Sequence, residues 1–218
     1  MSVKKHFHIA VLGNIASGKT TVSQFLAKEL KSPLVDADLF EQNPFLPMYV
    51  NDRPRWSFAT ELYFTKARLK KLAAVRDLLK KGSVIVDSGI LMSCWVYARN
   101  HLKQGTMTDA EWQFYLDLTE DIKKSSYDGD EDLVVVLKAK PLVLLERIAL
   151  RGRDFEKAYD QVYLYQLSDR LNELVEKLRS EEKHVLEFDT GKYDMLSEPR
   201  NFKKFLSEVK TALRQIAK

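Results

Sequence analysis

One short stretch constrains this chain more than any other: residues 13–20 read GNIASGKT, which satisfies G-x-x-x-x-G-K-[ST]. An apolar run at 7–12 precedes it and a helix-like run at 20–30 follows. In that context the pattern binds phosphate, because the glycines let the backbone curl so that successive N–H groups face an oxyanion, and the helix N-terminus adds positive potential. The expected nucleotide contacts are Gly13, Asn14, Ile15, Ala16, Ser17, Gly18, Lys19 and Thr20, with Thr21 beside them. Lys19 is placed to reach the β- and γ-phosphates, and the Thr20 hydroxyl to ligate Mg2+.

Further apolar runs at 33–35, 83–86, 133–137 and 184–188 alternate with long helical patterns. This alternation predicts an α/β fold with a doubly wound parallel sheet. The expected helices cover 20–30, 55–79, 90–102, 109–124, 141–150, 159–179 and 202–216. Thr108 with Glu111 three residues on forms a capping-box pattern ahead of the fourth, and Pro44, Pro47 and Pro54 make 36–53 a loop or short-helix region. At 218 residues, with no repeat or linker, one domain spanning 1–218 is expected.

Composition excludes several roles. A formal net charge of +4, with acidic and basic residues interspersed, argues for neither nucleic-acid nor membrane binding. There is no run of 18 apolar residues and no signal-peptide arrangement, so a soluble cytoplasmic protein is expected. The single cysteine, Cys94, rules out an internal disulfide and a cysteine-based metal site, and its apolar surroundings suit a buried thiol.

In parallel sheets of this kind ligands bind beyond the carboxyl ends of the strands. The carboxylates just after the apolar runs are Asp36 and Asp38, Asp87 and Asp189. A phosphotransferase needs one carboxylate to deprotonate a hydroxyl and another to help hold magnesium; Asp38 is the candidate base and Asp87 the candidate metal ligand. Arg147 and Arg151 lie four apart on one helix face, followed by Gly152 and Arg153. Guanidinium groups on such a segment, at about 151–159, can close over ATP as a lid and neutralise charge on the transferring group.

Together these residues resemble the deoxynucleoside kinases, which phosphorylate the 5′-hydroxyl of deoxyribonucleosides with ATP. The similarity runs through GNIASGKT, NPFLPMY at 43–49, RWSF at 55–58, ELYFTKAR at 61–68, RIALRGRDFE at 147–156 and DTGKYDML at 189–196. The resemblance implies a P-loop kinase fold of three layers, with a five-stranded parallel sheet, helices on both faces and an arginine-bearing lid. It implies ATP and Mg2+ as cofactors and a homodimer built from helices. It also implies that Arg151 and Arg153 serve the phosphates, that Glu156 holds the sugar 3′-hydroxyl, and that the loop near Asp189 to Asp194 borders the adenine of ATP.

The departures fall on the nucleoside side. The family's base is usually a glutamate where this chain has Asp38, and its D/E-R-S motif is here Asp87, Ser88 and Gly89, so the arginine is lost. Arg147, Arg151 and Arg99 are the candidates to replace that cation. The family's base-reading glutamine is Glu61, its partner arginine is kept as Arg68, a supporting aspartate is Ser93, and the sugar-contacting tyrosine is offset to Tyr49. An ionised Glu61 accepts only, which suits the N1–H and 2-amino donors of guanine; Glu61 simply pairing with Arg68 is the alternative. The activity expected is ATP-dependent phosphorylation of a nucleoside or nucleoside-like small molecule. The alternatives are a thymidylate-type monophosphate kinase, or an ATP-binding member of the fold without catalysis.

Overall fold

A computed structural model describes residues 6–36, 43–126, 130–193, 195 and 198–218. Asp38 therefore lies outside the described residues. Five strands, β1 (His8–Gly13), β2 (Leu34–Asp36), β3 (Val84–Asp87), β4 (Leu133–Lys138) and β5 (Val185–Asp189), pair in parallel in the order β2-β3-β1-β4-β5. The expected sheet is thus present, with β1 at its centre. Several strands end one residue later than the apolar runs: pairing continues through Asp36 opposite Asp87 and Lys138 opposite Asp189. These carboxylates close the strands rather than follow them.

Both faces of the sheet are covered, as the near-continuous apolar character of its strands requires. Ile9, Val11, Leu133 and Val135 point to α1 (Lys19–Glu29) and α9 (Pro199–Ile216), whose Val22, Leu26, Phe205 and Val209 complete that core. On the other face Ala10, Leu12, Val134 and Val136 meet α8 (Gln161–Ser180). Val84 and Val86 meet Leu69 and Leu72 of α3 (Arg53–Leu72) together with Trp112 and Tyr115 of α6 (Asp109–Ser126).

The remaining elements are α2 (Leu46–Asn51), α4 (Val75–Leu79), a π-helical segment at Met92–Ala98 continued by α5 (Arg99–Lys103), α7 (Pro141–Arg151) and a 3-10 turn at Asp154–Ala158. The capping box forms: Thr108 N–H donates to Glu111 Oε2 at 2.8 Å and Glu111 N–H to Thr108 Oγ1 at 3.2 Å. The single helix expected over 55–79 is instead two, α3 and α4. Leu69, Leu72 and Val75 all enter one core. At strict three-residue spacing on an ideal helix they would drift by about 60° per step, and the break at Ala73 and Ala74 brings Val75 back to the shared face. The helix expected over 90–102 is widened, because Met92, Ser93, Cys94, Val96 and Ala98 are all buried and a broader turn carries more consecutive side chains into the interior.

Phe205 is fully buried with its ring 5.0 Å from that of Phe188 in an edge-on contact, which anchors α9 to β5. Phe205→Ala is expected to destabilise the chain by about 3–5 kcal/mol in urea denaturation. A loss under about 1 kcal/mol would show that α9 is not part of the cooperative core.

Candidate active site

The loop leaves β1 at Gly13, where a side chain cannot fit: a Cβ would lie 2.4 Å from Ser17 Oγ and 2.9 Å from the Leu137 carbonyl oxygen of the neighbouring strand. The backbone then curls through two left-handed residues, Ala16 (φ 59°) and Gly18 (φ 94°), before α1 begins. Two contacts fix this curl. Ser17 N–H donates to Asn14 O at 3.2 Å, and Lys19 Nζ donates to the same carbonyl at 3.0 Å. Asn14 turns its side chain away from the loop's mouth; its amide donates to Leu164 O at 2.7 Å and Ser168 Oγ at 2.9 Å, pinning the loop to α8. The buried Ser17 hydroxyl has no hydrogen-bond partner among the described residues. A cradle of inward-facing amides with an unsatisfied hydroxyl is suited to an anion.

Around the cradle a cleft is lined by Ala16, Ser17, Gly18, Lys19, Thr20, Thr21, Arg147, Arg151 and Thr190. Thr20 Oγ1 donates to the buried Asp87 Oδ2 at 2.8 Å, joining the start of α1 to the end of β3. Arg147 is held by Thr190, donating to its carbonyl at 2.6 Å and its hydroxyl at 3.1 Å, while that hydroxyl reaches Ser17 O at 3.0 Å. Thr190 lies in the loop expected to border the adenine, but within DTGKYDML nothing singles it out until the fold brings β5 beside the phosphate loop. Asp189, expected next to the nucleotide, accepts from Gly191 and Lys192 N–H, each at 2.9 Å, and shapes the turn that presents Thr190.

Gly152 (φ 68°) ends α7 and swings the chain into the lid segment. Arg151 Nε donates to Glu156 Oε2 at 2.9 Å, and Arg153 lies 3.7 Å from Glu156 Oε1. Glu156 is fully buried, so two lid guanidinium groups share one carboxylate at the rim of the cleft. Of the cations put forward to replace the lost arginine, Arg147 and Arg151 line the cleft, whereas Arg99 lies over the Trp112 ring at 5.7 Å.

Ser88, next to Asp87, faces a second cavity walled by Tyr49, Thr60, Glu61, Phe64, Arg68, Tyr97, Tyr159 and Tyr163. Its polar lining forms a connected network. His101 Nδ1 sits 3.1 Å from Ser57 Oγ, whose own proton goes to Arg53 O at 2.6 Å, and 2.9 Å from Thr106 Oγ1. Nε2 is hydrogen-bonded to Tyr49 OH at 3.2 Å. Burial, helped by the Arg53 charge, pushes His101 down to about 3 and keeps it neutral, and burial pushes the Tyr49 phenol up to about 12. Ser93, placed among the substrate-side residues by its position, does not line the cavity; its hydroxyl accepts from the Arg68 guanidinium, in keeping with the supporting role of that position.

Glu61 is 5% exposed and makes no ion pair with Arg68, contrary to the pairing alternative. Its carboxyl is pushed up to about 8 by burial, with the Arg68 charge acting weakly in the opposite direction. Burial thus favours the protonated acid over the ionised carboxylate expected from the sequence.

Comparison with known proteins decides what kind of site this is. Residues 9–214 match the deoxynucleoside kinase family. The chain belongs to the deoxynucleoside kinases. It is similar to the deoxyguanosine kinase of Bacillus subtilis (strain 168), 28% identical over 205 residues that cover 93% of this chain and 95% of that protein. The deoxyadenosine/deoxycytidine kinase of the same organism is 25% identical over 213 residues, covering 97% and 95%. Among solved structures, deoxyadenosine kinase from M. mycoides with products dCMP and a flexible dCDP bound superposes with a TM-score of 0.78 at 20% identity, covering 94% of this chain and 99% of that one. As a member of this family the chain is an ATP-dependent nucleoside kinase, a transferase, and the P-loop kinase fold is the expected one.

The kinase's two cavities divide the expected residues between them. Lys19, Thr20, Thr21, Arg147 and Arg151 come together in the cleft, and Tyr49, Glu61 and Arg68 in the second cavity. His101, Tyr159 and Tyr163 were missed, for lack of any local pattern. Lys19 is the ammonium in the cradle, and Lys19→Ala is expected to lower the kinase's phosphoryl-transfer rate by about a hundredfold to a thousandfold. Steady-state turnover with saturating nucleoside measures this, and a loss under about tenfold would remove Lys19 from the phosphate site.

Proposed function

We propose that this kinase moves the γ-phosphoryl group of ATP to the 5′-hydroxyl of a deoxynucleoside held in the cavity beside Glu61 and Arg68. The observation that carries the reading is the shared wall: Asp87 accepts from Thr20 of the phosphate cleft while its neighbour Ser88 lines the acceptor cavity. Donor and acceptor thus meet at the carboxyl ends of β1 and β3, where this fold class binds its ligands. Lys19, Arg151 and Arg153 are the proposed partners of the triphosphate. The Thr20 hydroxyl and the Asp87 carboxylate are hard oxygen donors that fit Mg2+, which takes few protein ligands and keeps water and phosphate oxygens. When bound, the ion would offset negative charge on the phosphates.

Asp38 is the proposed base that receives the hydroxyl proton, with Asp36 at the end of β2 in reserve. A nucleoside suits the cavity better than a nucleoside monophosphate. Arg68 is the cation lining it among the described residues, and that guanidinium already donates to Ser93. A guanine base would be favoured by Glu61 as an anion, a form that burial confines to alkaline conditions. The helix-built homodimer and the cytoplasmic setting belong to the same proposal. Among the described residues no helix is long and apolar enough to cross a membrane, and Phe114, 56% exposed beside Phe58, offers an apolar patch to a partner helix.

Incubating the protein with ATP, Mg2+ and a mixture of deoxynucleosides and monophosphates, and identifying products by mass spectrometry, tests the reading. A deoxynucleoside gaining one phosphate is expected; gain on a monophosphate alone would overturn it. Asp38→Asn is expected to abolish transfer while leaving ATP binding in place, and full activity in that variant would take the base assignment away from Asp38.

A further inference from the structure

Glu61 is the buried titratable group whose chemistry the site leaves most open. Its Oε2 is buried without a hydrogen-bond partner among the described residues, and it lines the acceptor cavity. Its Oε1 lies 3.8 Å from His101 Nε2, beyond hydrogen-bond reach, and that nitrogen is 3.2 Å from Tyr49 OH instead. Arg68, two turns further along α3, directs its guanidinium to Ser93. An ionised carboxylate here would be desolvated and without a hydrogen-bond donor, a costly arrangement that protonation removes.

Building on the acceptor-cavity reading above, we propose that Glu61 reads the nucleobase as a neutral carboxylic acid, its O–H and C=O replacing the donor and acceptor of a side-chain amide. A carboxylic acid pairs with a base edge that offers a ring nitrogen acceptor beside an amino donor, as adenine does at N1 and the 6-amino group and cytosine at N3 and the 4-amino group. Ionisation erases the O–H and leaves two acceptors, which suit guanine's N1–H and 2-amino pair instead. The same side chain therefore sets opposite preferences on the two sides of its pKa.

The groups facing Glu61 agree with one titration in the neutral to alkaline range. Burial holds the Cys94 thiol up to about 11 and the Tyr115, Tyr159 and Tyr163 phenols well above their ordinary range. Tyr49 is held up likewise and His101 is held neutral by its lowered pKa, leaving Arg68 as the cation whose field reaches Glu61. Between pH 6.5 and 9 the group in this set that changes charge is Glu61, with its carboxyl pushed up to about 8.

The test is the ratio of kcat/KM for deoxyadenosine or deoxycytidine to that for deoxyguanosine, across pH 6.5 to 9, because kcat/KM reports ionisations of the free enzyme. The ratio cancels ionisations common to all substrates. It is expected to favour deoxyadenosine or deoxycytidine at pH 6.5 and to fall by about tenfold per pH unit above the Glu61 transition. Glu61→Gln is expected to keep the preference and flatten the profile. In the infrared spectrum of the unliganded protein, the carbonyl band of a buried protonated acid is expected at pH 6.5 and absent from Glu61→Gln. A ratio independent of pH in the parent, or a preference for deoxyguanosine at pH 6.5 that Glu61→Gln abolishes, would overturn the proposal. If no deoxynucleoside is phosphorylated at any pH, the acceptor reading itself falls. The infrared band then still decides separately whether Glu61 holds its proton.

Discussion

The near-contact of Gly13 with the Leu137 carbonyl is the constraint on which the rest of the site depends. β1 pairs with β3 on one side and β4 on the other, and both its faces are packed, so its carboxyl end is fixed by two ladders and two layers of helices. The chain must turn there in a space that a methyl group would fill. Only a residue without a side chain lets the loop fold back over β4, which places Ser17 and Lys19 against the Asn14 carbonyl and aims the first turn of α1 into the cleft. Thr20 then meets Asp87 because β3 is β1's neighbour, and Thr190 meets Ser17 because β5 ends one strand beyond β4.

How much of this could be read from the sequence depends on the range of each interaction. The five strands and the loop were legible because a buried parallel strand needs an unbroken apolar run and the loop needs its glycines at fixed offsets. The capping box was legible for the same reason, its partners being three residues apart. The strand ends were missed by one residue because Asp36 and Asp189 are polar yet still paired, and pairing is set by the neighbouring strand. The break between α3 and α4 follows from which face meets the sheet, as does the π-helical turn after β3. Asp189 illustrates the limit within the site: its position near a strand end was readable, but its role in the turn and the prominence of Thr190 depend on where Arg147 reaches.

The departures from the family pattern acquire physical content once they are placed. Ser88, standing where the family has an arginine, occupies a left-handed backbone conformation at φ 54°, unfavourable for a residue with a side chain, while its hydroxyl reaches Asp87 Oδ1 at 3.3 Å. It acts on the carboxylate that meets Thr20, so the substitution removes a cation and adds a donor to the proposed metal ligand. Ser93 keeps hold of Arg68 without bringing a negative charge. Arg68 is thus held by a neutral hydroxyl at 93, where the family pattern has a carboxylate.

The two halves of the site thus obey opposite electrostatic rules. On the donor side charges are retained and paired: Arg151 and Arg153 are partly exposed yet anchored on one buried carboxylate, and Lys19 leans on a carbonyl. Water at the cleft mouth screens them, and an incoming polyanion meets cations already in position. On the acceptor side burial suppresses charge, driving His101 down, Tyr49 and Cys94 up, and Glu61 to its acid form. A neutral pocket recognises its ligand through the direction of hydrogen bonds, and an unmatched donor or acceptor there costs about 1–3 kcal/mol. Removing the proton from Glu61 reverses one of those directions without moving an atom of the fold. An exposed glutamate, ionised across the whole neutral range, has no such reversal to make.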